Sequence, residues 1–114
     1  MIKPTYYRIL FWLCALAAVI VSLVPTTGTQ LFELQDKVAH AVLYASLYFI
    51  AVQAYGRSLS LFLLAVMVMG FGLSLEIAQS MTSYRYGDIW DFVANSAGVI
   101  AVWLLLLALS LIHI

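Results

Sequence analysis

Apolar residues run along this chain in four long blocks, 9–24, 38–55, 59–75 and 92–112, separated by short polar stretches. None of the blocks alternates apolar with polar positions as a half-buried strand does, and an open sheet edge has no place in lipid. A bilayer core needs about 20 helical residues, with about 17–25 the usual range. The first block is short alone, and Tyr6, Tyr7 and Arg8 extend it as an interfacial anchor. The pattern predicts an all-α, integral membrane four-helix bundle with short loops. Its spans are 8–24, 37–55, 59–80 and 89–112 of a single domain, 1–114. Lys3 and Arg8 ahead of an apolar run also suit a signal peptide. However, no small-residue cleavage pattern precedes Pro25, and Ala15 and Ala17 fall too early, so a retained helix is expected.

Composition agrees with the pattern. The chain is 66% hydrophobic and 9% charged, where a soluble domain carries about a quarter charged residues. Its partner is therefore the lipid bilayer. A net charge of zero gives nothing to attract nucleic acid. Cys14, the single cysteine, lies in an apolar block, so neither an intramolecular disulfide nor a thiolate metal site is expected.

The few charges are placed unevenly. With four spans, both termini and the 55–58 turn share one side, carrying Lys3, Arg8 and Arg57, while Lys37 and Arg85 lie on the other. Three against two favours cytoplasmic termini by the positive-inside rule. All five acids fall on the second side, the expected outer face. Counting helix rise from Arg57 puts His40 and Glu76 about 26–29 Å away. Asn95 lies a similar distance from Ile112, so these three groups should share one level at the edge of the hydrocarbon.

Helical spacing then gathers the polar residues into stripes. Asp36, His40, Tyr44 and Tyr48 repeat every four residues. Gly72, Glu76 and Gln79 follow i, i+4 and i+7, and Asp88, Asp91, Asn95 and Gly98 follow i, i+3, i+7 and i+10. Each stripe can face the bundle interior, where intramembrane polar groups normally point. Plainer roles exist for each residue. Asp36 and Asp88 suit N-caps, and Asp91 suits a helix N-terminus. Glu76 and Arg85 suit a structural ion pair, and His40 a hydrogen-bonded helix contact. Tyr44, Tyr48, Tyr84, Tyr86 and Trp90 suit an interfacial aromatic belt. Gly70, Gly72 and the Ala94/Gly98 pair suit close helix packing, within the chain or in an oligomer.

Taken together, the polar segments resemble the VanZ-like membrane proteins. DKVAHAVLY at 36–44, EIAQ at 76–79 and RYGDIWDFVANSAG at 85–98 match that family's Asp-Lys-x-x-His, Glu-x-x-Gln and Arg…Asp-x-x-Asp-x-x-x-Asn-x-x-Gly pattern. The matching residues are Asp36, Lys37, His40, Glu76, Gln79, Arg85, Asp88, Asp91, Asn95 and Gly98. The resemblance implies a multi-pass protein of the bacterial cytoplasmic (inner) membrane. It also implies a link to susceptibility toward teicoplanin and other lipid-bearing glycopeptides.

Three functions follow as expectations. One is an outward-facing site that binds or modifies an envelope component, such as a lipid-linked precursor or a lipoglycopeptide. It would use Lys37 and Arg85 on an anionic group, and Gln79, Asp88, Asp91 and Asn95 on hydroxyls or amides. A second is a small intramembrane enzyme with His40, Glu76 and Asp91 as acid, base and orienting group. No HExxH or GxSxG stands in the chain, so catalysis is the weaker expectation, with neither cofactor nor metal. The third is a structural or partner-binding network.

Overall fold

A computed structural model describes residues 3–23, 33–82 and 89–112, with the side chains of 33–36 outside that description. The described chain forms four helices: α1 (Pro4–Leu23), α2 (Glu33–Tyr55), α3 (Leu61–Ser80) and α4 (Ile89–Ile112). Each is long and apolar enough to cross a membrane, α2 from Lys37 onward. α1 begins at Pro4, four residues ahead of Arg8, because proline's fixed φ and missing N–H suit the first helical position. α3 begins after Ser60 because the Ser60 hydroxyl accepts from the Leu63 N–H at 3.0 Å. That N-cap satisfies a donor the helix cannot. Within the spans, Ser46, Ser74 and Ser80 donate to the carbonyls of Val42, Gly70 and Glu76, so no exposed hydroxyl of these three faces lipid unpaired.

Helices in lipid gain little from hiding apolar surface against each other, so close packing must hold them. The buried positions are accordingly rich in small residues: Ala15 and Ala18 on α1, Ala51 and Ala54 on α2, Ala65 and Gly72 on α3. α2 and α3 each touch every other helix, whereas α1 and α4 do not meet among the described residues. The cross-section is thus a rhombus, with α2 and α3 on its short diagonal and α1 and α4 at the outer corners.

Tyr44 and Tyr48 are core residues on that diagonal, not belt residues. They are 3% and 0% exposed, and the Tyr48 hydroxyl donates to the Leu61 carbonyl at 3.0 Å. A buried phenol needs such a partner. Their four-residue spacing from His40 turns them inward, which overrides any preference of tyrosine for the interface. Trp90 is exposed at the start of α4, where a belt residue belongs. Tyr84 and Tyr86 lie outside the described residues.

The glycines divide in the same way. A Cβ on Gly98 would stand 2.1 Å from the Ala41 carbonyl oxygen, so the backbones of α2 and α4 meet there. A Cβ on Gly70 would meet nothing within 4 Å. Gly70 is exposed and takes no part in the packing within the described bundle. These two sites give a controlled comparison. Gly98→Ala should destabilise the bundle by about 2–3 kcal/mol, since the obstacle is backbone and one helix must shift. Gly70→Ala should be neutral or stabilising by up to about 1 kcal/mol from helix propensity. Thermal unfolding of the detergent-purified variants measures both, and equal losses would contradict the packing described.

Candidate functional site

Three helix ends meet on the side of the bundle away from the α2–α3 turn. α2 enters with Lys37 and His40, α3 leaves with Glu76 and Gln79, and α4 enters with Asp91 and Asn95. In each pair the spacing is three or four residues, so both side chains lie on one face. Antiparallel succession then places all three faces at the same level.

Asp91 joins two partners of α2. Its Oδ1 accepts from the Lys37 ammonium at 2.6 Å, and its Oδ2 lies 3.6 Å from His40 Nε2. His40 Nδ1 stands 3.0 Å from Asn95 Oδ1. This bond leaves Nε2 as the nitrogen turned toward the carboxylate. Glu76 and Asp91 are buried, while Lys37 and His40 are half-buried at the edge. Donor atoms of His40, Glu76 and Asp91, one from each helix, all lie within 4.8 Å of one another. That compact set can grip a small cation, accept hydrogen bonds from a polar ligand or pass a proton.

Asn95 is 1% exposed, and its Nδ2 has no hydrogen-bond partner among the described residues. A buried donor left unpaired costs about 1–3 kcal/mol. The amide fits because Gly72 has no side chain. A Cβ there would come 3.0 Å from Asn95 Nδ2 and 2.8 Å from the Tyr44 ring. Gly72 and Tyr44 therefore shape the space in which Asn95 and His40 meet.

Two expected ligand-binding residues are already engaged. Lys37 is paired with Asp91, so an anion must compete for it. Gln79 turns to α1, its Nε2 donating to the Ser22 carbonyl at 2.8 Å while its Oε1 is buried without a partner among the described residues. Near a helix C-terminus carbonyls lack intrahelical donors, so Gln79 caps α1. The Asp36 side chain, Arg85 and Asp88 lie outside the described residues. Gly98 supports the site from below through its contact with Ala41. Ser96, half-buried with its Oγ enclosed and unpartnered among the described residues, was not foreseen. A lone serine on an apolar helix gives no sequence signal of its own.

A family model described as VanZ/LLP1 matches residues 6–111. The chain belongs to this family, and the match includes α1 along with the polar helices. Neither the curated proteins nor the solved structures gave a match.

The Lys37–Asp91 bridge makes a separable prediction. Removing one member of a buried pair strands the other and costs about 3–5 kcal/mol; partial exposure here should reduce that to roughly 2 kcal/mol. Lys37→Met and Asp91→Leu should each be destabilising, and the double variant should lose less than the sum. A double-mutant cycle on unfolding in detergent that returned no coupling would show the pair to be incidental.

Proposed function

We propose that the charged end of this VanZ/LLP1-family bundle binds the polar part of a cell-envelope component. The observation that carries the proposal is the convergence of His40, Glu76 and Asp91 from three helices to within 4.8 Å of one another. Ionisable groups at the edge of hydrocarbon are costly, and a network kept only for stability is often replaceable by apolar packing without loss. Glu76 and Asp91 accept from hydroxyls or amides of a sugar or peptide headgroup. The Lys37 ammonium, shared between Asp91 and the ligand, meets an anionic group such as a phosphate. Arg85, which completes the family pattern, adds a second cation through its bidentate fork. The site faces outward from the bacterial cytoplasmic membrane, where a lipid-linked precursor or a lipoglycopeptide meets it. Binding there alters susceptibility to teicoplanin.

A second reading is supported by the same donor set. With Nδ1 held by Asn95, His40 directs Nε2 toward Asp91 at 3.6 Å, an arrangement suited to acid–base chemistry or to a divalent cation. This reading makes the protein an intramembrane enzyme acting on a lipid-linked substrate.

Expression in a Gram-positive host tests the first reading. Wild type should lower teicoplanin susceptibility, and Glu76→Gln, Asp91→Asn and Arg85→Lys should abolish the effect at equal membrane abundance. Loss of effect in step with lost protein would instead indicate a structural network, and an inert, well-expressed wild type would remove the resistance role. The second reading is tested by the metal content of purified protein. A stoichiometric divalent ion that disappears in His40→Ala supports it, and metal-free protein removes its metal-dependent form.

A further inference from the structure

The opposite end of the bundle carries a different set of features, roughly 22 Å from His40 by helix rise. Between α1, α2 and α3 lies an apolar cavity of about 300 Å³, lined among others by Phe11, Ala15, Ala51, Tyr55 and Phe71. That is about twice the volume of a dry engineered cavity that admits benzene. Trp12 and Met67 also line it, and both are exposed, so the cavity opens on the outside of the bundle between α1 and α3. Its α2 wall runs from Leu47 to Tyr55, about 12 Å along the axis. A second copy's helix, about 10–12 Å across with its side chains, is too wide for this space. A single acyl chain is not.

The rim is built around Tyr55. Its hydroxyl accepts from Trp12 Nε1 at 2.9 Å, and the Arg8 guanidinium sits 4.8 Å from its ring centroid. Arg8 Nε donates to the Ala54 carbonyl at 3.0 Å, a C-terminal acceptor of α2 with no intrahelical donor. These two contacts hold the guanidinium over Tyr55, a residue of the cavity wall. Its Nη nitrogens have no partner among the described residues and present the planar fork that matches a phosphate. Lys3 and Arg57 are exposed at the same end, and every acid among the described residues belongs to the other end.

We propose that this end is a binding site for a phospholipid with an anionic headgroup, one acyl chain in the α1–α2–α3 cavity and the phosphate on Arg8. Apolar cavity, fixed cation and one-sided positive charge occur together at one end of the bundle, joined through Tyr55. The site is independent of the polar cluster and does not rest on the function proposed for it.

Trp12 supplies the readout. In a Trp90→Phe/Trp103→Phe background the protein is reconstituted in phosphatidylcholine vesicles. Increasing fractions of acyl-brominated phosphatidylglycerol, or of brominated phosphatidylcholine, are then added. Brominated phosphatidylglycerol should quench Trp12 with about a fivefold binding preference, the size expected of one basic residue facing an anionic lipid. Arg8→Gln should remove most of that preference, leaving only the weaker pull of Lys3 and Arg57. Ala15→Leu, which fills the cavity, should do the same with the headgroup cation intact. Equal quenching by both lipids overturns the site, as does a preference left undiminished by Arg8→Gln. Should Ala15→Leu fail to fold, the headgroup comparison alone decides the matter.

Discussion

The polar chemistry of this protein depends on how closely α2 and α4 approach at Ala41 and Gly98. Nothing wider than a hydrogen atom fits between the Gly98 Cα and the Ala41 carbonyl. One turn toward the polar end, this approach lets two short side chains meet, His40 and Asn95, at 3.0 Å. A further turn brings Lys37 to Asp91 at 2.6 Å. Without the backbone contact each of these groups would have to find a partner in lipid, where none exists. A glycine with no chemistry of its own thus sets the distances of the residues that have it.

The two ends of the bundle solve the same problem differently. At one end, charges from α2 and α4 neutralise one another, and Glu76 joins them from α3. At the other, the Arg8 cation is shared among a backbone carbonyl, an aromatic face and the surroundings of the membrane. The first arrangement is inward-turned and tightly coupled. The second leaves hydrogen-bond donors facing out, beside an apolar opening.

Much of this was legible in the sequence. Four continuous apolar runs without alternation leave helices as the solution, and rise per residue alone puts His40, Glu76 and Asn95 in one layer. Helical phase was equally informative where it was followed. Gly72 shares a face with Glu76 four residues on, whereas Gly70 is turned to the opposite side, so two like residues have unlike neighbours. The Tyr44 and Tyr48 stripe pointed inward with His40, and residue preference for the interface was the weaker guide. Partner choice was not legible. Whether Lys37 meets Asp91 or a ligand depends on side-chain reach across two helices. The Gln79 bond ends on the Ser22 carbonyl, a group every residue possesses, so no sequence pattern marks it.

That last bond has a consequence for how α1 can change over evolutionary time. α1 is fastened near its start by Arg8, which reaches a main-chain oxygen on α2, and near its end by its own main-chain oxygen at Ser22, which receives Gln79. Neither acceptor depends on the identity of the residue that carries it. Substitutions at Ser22 therefore pass unnoticed by the tie. Deleting one residue between the two fastenings would shorten the helix by about 1.5 Å and turn it by about 100°, losing one tie or the other. A change of letter at Ser22 is tolerated by the tie while a change of length between Arg8 and Ser22 is not, and the amount of folded protein in a single-residue deletion series through α1 would reveal that difference.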